Sequence, residues 1–243
     1  MKRRIGFFDF TGCEGCQLTV LNLEETLLDL LELVEIVEFR EVMSGSGGEL
    51  DIAFVEGSIC RPDEVERLQA IRARTKSLVA LGACADTAGV NALSQFRDLQ
   101  QLQQAVYGEN PPPAGRPRPL SAVVQVDCRL PGCPIDGQEF LSVLKALLMG
   151  KPPELPAYAV CVECKLAELP CTFDQGIVCL GPVTRAGCGA LCLTGGDRCR
   201  GCRGMIDNPR SAPYDRILVE QGLSEEEIVR EFRTFNMSGE TGG

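Results

Sequence analysis

The sequence predicts an α/β chain: a doubly wound parallel sheet over residues 1–150, then a loop-rich C-terminal domain over 151–243 held together through cysteine. Three observations predict it. Short apolar runs alternate with helical patterns as far as Met149. Eight of the fourteen cysteines crowd between Cys161 and Cys202. Between the two regions lies Gly150-Lys-Pro-Pro-Glu-Leu-Pro156, which suits neither a helix nor a central strand and reads as a linker.

Each element follows from a local pattern. Ile5–Phe10 is a strand, and a helix runs from about Cys16 to Leu33 on the steps Val20, Leu23, Leu27, Leu30, Leu31 and Val34. Glu35–Phe39 is a second strand, Gly45-Ser-Gly-Gly48 a loop and Ile52–Val55 a buried strand. Pro62 opens a helix with apolar steps at Val65, Leu68 and Ile71. Leu78–Leu81 is a strand, Leu93–Tyr107 a helix, Ala122–Val126 a strand and Phe140–Met149 a closing helix. Pro111–Pro119 is a stiff extended spacer. Strands alternating with helices give a parallel sheet covered on both faces, the flavodoxin-like arrangement. The C-terminal region has little periodicity until Ser224-Glu-Glu-Glu227, a capping box that starts a helix reaching about Phe235, and residues 239–243 fray. It lacks the apolar content for a core of its own and needs another staple.

Composition narrows the chemistry. Hydrophobic residues make up 44%, enough for a core. With 5% aromatics, no Trp and a net charge of −10, nucleic acid is a poor partner. The chain has no histidine, which excludes Ser–His and Cys–His catalytic pairs and a histidine general base. No run of about 18 apolar residues exists, so no transmembrane helix is expected. The twin arginine at Arg3-Arg4 is not followed by an apolar signal stretch, so a cytoplasmic chain is expected. In that compartment cysteines hold metal more readily than they form disulfides.

The placement of the cysteines sharpens this. Sites in such sheets form at the carboxyl ends of strands. Cys13 and Cys16 follow the first strand, Cys84 follows the one ending near Leu81, and Cys133 lies just past the one ending near Val126. Four thiols from three loops suit a cubane iron–sulfur cluster or a Cys₄ zinc, and the flanking Gly12, Gly15, Gly82 and Gly132 let backbone come close. Cys60 and Cys128 lack such a context and read as packed thiols. The later eight, Cys161, Cys164, Cys171, Cys179, Cys188, Cys192, Cys199 and Cys202, divide into two more sets of four. Spacing alone leaves zinc open.

Taken together, the motifs resemble the small subunit of nickel–iron hydrogenases. They are Gly12-Cys-Glu-Gly-Cys16, Val55-Glu-Gly-Ser-Ile59, Leu81-Gly-Ala-Cys-Ala85, Pro131-Gly-Cys-Pro134, Cys179-Leu-Gly-Pro-Val-Thr184 and Arg198-Cys-Arg-Gly-Cys202. The resemblance covers roughly residues 1–205 and is nearest to the cytosolic viologen-, deazaflavin- or nicotinamide-linked hydrogenases and sulfhydrogenases. It implies a proximal cluster on Cys13, Cys16, Cys84 and Cys133. It implies a medial one on Cys188, Cys192, Cys199 and Cys202, and a distal one on Cys161, Cys164, Cys171 and Cys179. All three would be [4Fe-4S]: Cys192 stands where many relatives have Pro, and the distal set uses Cys where periplasmic members use His. Nickel would sit in a separate large subunit, reached across a large apolar interface, with electrons passing to a flavin or iron–sulfur partner. The same resemblance suggests a proton-relay carboxylate near Glu14, whose plain alternative is an exposed loop residue, with Glu56 a second candidate. Three other readings stand beside it: the cluster subunit of a quinone-reducing complex, a zinc-stapled adaptor, and a hydrogenase-like relay serving another reductase, such as one for sulfur.

Overall fold

The computed structural model describes residues 2–24, 26, 29, 32–43, 47–207, 209 and 211–236. Five parallel strands form one sheet: β1 (Arg3–Asp9), β2 (Val34–Phe39), β3 (Leu50–Glu56), β4 (Thr75–Leu81) and β5 (Cys128–Leu130). Their order is β2-β1-β3-β4-β5. The chain reverses direction beside β1, so the loops after β1, β3 and β4 gather at one carboxyl edge. Period-two alternation divides the side chains between two cores. Ile5, Phe7, Ile52, Phe54, Val79 and Leu81 face one side, where they pack under Phe140, Leu141 and Leu144 of α5 (Gly137–Leu148). Phe8, Ala53, Val55, Leu78 and Ala80 face the other, against Leu68 and Ile71 of α2 (Pro62–Ala73). Phe7 stacks on Phe39 at 4.4 Å and on Phe54 at 5.1 Å, tying three neighbouring strands together.

Three expected elements are corrected. The last strand is not Ala122–Val126 but the short Cys128–Leu130, which pairs Val79 with Cys128 and Leu81 with Leu130. Val123, Val124 and Val126 spend their apolar surface on the sheet's face instead, while Asp127 exchanges bonds with Leu78 through its backbone N–H (2.9 Å) and its carboxylate (2.8 Å). The first helix is interrupted: α1 (Gly15–Leu21) ends at Asn22, Leu23 and Glu24 turn, with Glu24 left-handed at φ 43°, and the described residues 26, 29, 32 and 33 are helical again. Leu27, Leu30 and Leu31, the later steps expected of that helix, lie outside the described residues, as do residues 45 and 46 of the expected loop and the terminal 237–243. The third long helix is split into a 3₁₀ segment, Gly89–Phe96, and α4 (Leu99–Tyr107), because Asp98 caps a new start by accepting the Gln101 N–H at 2.9 Å.

After α5, residues 151–157 form no regular structure, although Leu155 packs on the first core. The C-terminal region then builds α6 (Val160–Leu166), α7 (Leu191–Thr194), α8 (Ser211–Glu220) and α9 (Glu225–Arg233). The expected capping box is present: Ser224 and Glu227 satisfy each other's backbone N–H groups. Periodicity gave no sign of α8, and it corrects the expectation of a coreless region. Tyr214 and Leu218 join Leu180, Val183 and Ile228 in a small core of their own.

Candidate functional site

The carboxyl edge delivers the first quartet. Cys13 and Cys16 follow β1, Cys84 lies in α3 (Gly82–Thr87) directly after β4, and Cys133 follows β5. Burial pushes Cys84 up to about 12, and the neighbouring sulfurs of Cys133 and Cys13 add to it. Cys16 is raised by burial, then by the Glu56 carboxylate and Cys84, and Cys133 by burial, Cys13 and Glu56. The four thiols therefore share one field. Backbone approach is equally close: a Cβ on Gly82, at φ +83°, would stand 2.3 Å from Cys16 Sγ. Glu56, buried at the end of β3, accepts the backbone N–H groups of Cys16 (3.0 Å) and Gln17 (2.9 Å), fixing the turn that presents Cys16.

The other two quartets surround cavities. Cys188, Cys192, Cys199 and Cys202 line one of about 100 Å³, together with Thr184, Leu193, Arg203 and, from the first quartet, Cys133. Burial holds Cys202 up at about 11, with Cys133, Cys188 and Cys192 contributing. Cys161, Cys164, Cys171 and Cys179 line a second cavity of about 80 Å³ with Lys165, Thr172, Phe173 and, again, Leu193. Cys161 is raised to about 11 by burial and then by Cys179, Cys164 and Cys171. Cys179 Sγ accepts the backbone N–H groups of Cys199 (3.3 Å) and Gly181 (3.4 Å), joining the two sets. The quartets thus stand in a row, with Cys133 at the first junction and Cys179 and Leu193 at the second.

The donor chemistry fits a polynuclear iron–sulfur group. All fourteen thiols are unbridged. Among the described residues no three Cys, Asp or Glu side chains draw together tightly enough to hold a single metal ion. The sulfurs of the second and third quartets stand around the two cavities instead. Two buried side chains next to quartet cysteines also keep unmet polar atoms: both amide atoms of Gln17 and the hydroxyl of Thr172.

Comparison with known proteins agrees. A family model described as NADH ubiquinone oxidoreductase, 20 Kd subunit, matches residues 13–147, the part that carries the first quartet. Over 237 residues the chain is 39% identical to the sulfhydrogenase 2 subunit delta of Pyrococcus furiosus, spanning 96% of this chain and 98% of that one. It is 33% identical to a vhu subunit of the F420-non-reducing hydrogenase of Methanococcus voltae, over 85% of this chain and 83% of that one. A chain of a solved NAD+-reducing [NiFe]-hydrogenase in the H2-reduced state superposes with TM-score 0.57 at 31% identity, over 64% of this chain and 96% of that one. The chain belongs to the small-subunit family of nickel–iron hydrogenases. The likeness to sulfhydrogenase delta runs through the C-terminal eight cysteines, whereas the ubiquinone-reductase family model ends before them.

The remaining residues of this hydrogenase small subunit fall into place around the thiols. Glu14 caps α1 in a left-handed conformation, φ 61°. Its carboxyl is raised by burial, slight as it is, and by Glu41 and Asp9, with Arg40 opposing. Cys60 and Cys128 join none of the quartets. Cys60 lies beside Ser58 in the loop after β3, and Cys128 packs on the first core from within β5.

Two residues that hold the site were not foreseen. Arg203, 2% exposed, donates to the carbonyls of Pro131 (2.9 Å) and Ala186 (2.8 Å) and to both Glu139 oxygens at 2.6 and 2.8 Å. It thereby locks the loops of Cys133 and Cys188 onto α5. Glu163, on α6 between two cysteines of one quartet, accepts the N–H groups of Gly187 (2.7 Å) and Ala190 (3.2 Å) on either side of Cys188 in another. Its place inside a C-x₂-C pair was a visible signal, as it was for Glu14, although Glu163 directly precedes the second cysteine and Glu14 directly follows the first. Arg203 gave none beyond following Cys202. Among the described residues, no helix is long and apolar enough to cross a membrane.

Proposed function

We propose that this chain is the electron-relay subunit of a hydrogenase. In this reading it links the nickel–iron site of a separate large subunit to a flavin or iron–sulfur partner through three [4Fe-4S] clusters. Cys13, Cys16, Cys84 and Cys133 would hold the proximal cluster. Cys188, Cys192, Cys199 and Cys202 would hold the medial one, and Cys161, Cys164, Cys171 and Cys179 the distal one. When bound, such clusters supply one-electron transfer at potentials set by charge, burial and hydrogen bonds to sulfur. The observation that carries the reading is the row, in which Cys133 lines the cavity of the second quartet and Leu193 lines the second and third alike.

The chain's own residues orient and insulate. Glu56 and Arg203 fix the loops of the first two quartets, Glu163 braces the second from the third, and Leu169, Phe173 and Leu193 wall off the outer cavity. Residues 1–150 would carry the proximal cluster and 151–243 the other two. The exposed Leu18, two residues after Cys16, and Val90, whose backbone N–H meets the Cys84 sulfur, offer apolar surface to the large subunit. Fourteen unbridged thiols suit a cytoplasmic setting. Glu14, beside Cys13 at that face, is assigned the proton relay. Glu14→Gln should slow hydrogen turnover with the clusters intact, and an unchanged rate removes it from the relay.

The experiment compares two activities of the anaerobically purified complex. Cys202→Ser should depress hydrogen-driven dye reduction while hydrogen–deuterium exchange at the large subunit continues. Dye reduction at the wild-type rate would contradict a relay through the medial quartet.

A further inference from the structure

The cavity of the third quartet is lined by one buried polar group that has no partner. Thr172 lines it, immediately after Cys171, and its neighbours there are the four cysteines, Lys165 and the apolar Leu169, Phe173, Pro182 and Leu193. Thr172 is 9% exposed, and its hydroxyl is buried without a hydrogen-bond partner. Leaving a hydroxyl unmet in an apolar wall costs free energy that valine, nearly the same shape, would avoid. Its backbone is fixed: the Thr172 carbonyl accepts the Ile177 N–H at 2.9 Å, so the side chain stays against the cavity. The sulfurs of the third quartet are the acceptors at hand, and Cys179 already receives two backbone donors while Thr172 has none to serve.

We propose that the Thr172 hydroxyl donates a hydrogen bond to sulfur at the third quartet, either the Cys171 thiolate or a bridging sulfide, and so raises the reduction potential there. A donor stabilises the more negative, reduced state over the oxidised one. This rests on the reading that the third quartet holds a cluster. Thr172 is a positioning residue for electron density, not a catalytic one.

The test is a redox titration of the anaerobic complex, followed by electron paramagnetic resonance, for wild type, Thr172→Val and Thr172→Ser. Thr172→Val should lower the reduction equilibrium constant at the outer cluster about tenfold, about 59 mV for a one-electron couple. Thr172→Ser should restore the wild-type value. Pulsed resonance in deuterated buffer should show, beyond the backbone deuterons on Cys179, one more exchangeable deuteron coupled to that centre in the wild type than in Thr172→Val. This second readout holds even where the variant loads poorly. An outer cluster with unshifted potential in Thr172→Val, or a serine variant that shifts as far as valine, overturns the assignment. Wild-type protein with no iron at the third quartet overturns the underlying reading instead.

Discussion

Replacing Arg203 with Met should destabilise the protein by about 3–5 kcal/mol, the usual effect of removing one member of a buried ion pair. The structure explains why so much rests there. The Arg203 side chain is 1% exposed and the Glu139 side chain 10%, so the carboxylate left behind gains little from water. The carbonyls of Pro131 and Ala186 lose their donor as well. At about 2–4 °C per kcal/mol for a chain of this size, the unfolding temperature should fall by roughly 6–20 °C. Unfolding with clusters bound is irreversible, so variants are compared by anaerobic calorimetry at one scan rate. Burial nonetheless holds the Glu139 carboxyl above its usual range in spite of Arg203. Desolvation thus outweighs the pairing, and Arg203→Met combined with Glu139→Leu should recover most of the loss. A single Arg203→Met variant within about 2 °C of wild type, less than one kcal/mol on the same scale, would refute the reasoning.

Further outcomes follow from the same geometry. Gly82→Ala should strip iron from the first quartet, because the added methyl meets Cys16 Sγ and φ +83° disfavours any side chain; iron analysis checks it. Cys60→Ser and Cys128→Ser should leave the iron content of the complex unchanged, since neither thiol joins a quartet. Tyr214→Phe should cost about 1 kcal/mol, the net worth of one buried hydrogen bond, because its hydroxyl donates to the Cys179 carbonyl; anaerobic calorimetry reads it. Stripping iron with a chelator should expose backbone amides across residues 160–202 before those of β1, β3 and β4, as read by hydrogen exchange, because thiols make up much of the core there.

The sheet was legible because strands buried on both faces need near-continuous apolar runs, and Ile5–Phe10, Ile52–Val55 and Leu78–Leu81 supply them. The same rule misplaced β5: the valines at 123, 124 and 126 look like a strand but pack as a loop, while the polar Cys128-Arg129-Leu130 takes the ladder. Periodicity could not see that Asp127 sets this register through Leu78. The thiol quartets were legible through spacing and position after strands. Their order in a row was not, because it depends on Cys133 and Cys179 reaching neighbouring sets across the fold. The roles of Arg203, Glu163 and Thr172 were not legible for the same reason, although the place of Glu163 inside a C-x₂-C pair was: they lie in partners 17 to 72 residues away or in a missing partner. Helix α8 escaped because Pro213 and mixed polarity hide its face, which among the described side chains is buried by Tyr214 and Leu218.

The most direct measurement is the metal content of this chain in the anaerobically purified complex, with the large subunit's own metal subtracted. Cubane ligation of twelve cysteines gives about twelve irons and as many acid-labile sulfides per chain, with no zinc. A chain carrying two or three zinc ions, or fewer than about eight irons on the same ligation count, would contradict the row of clusters.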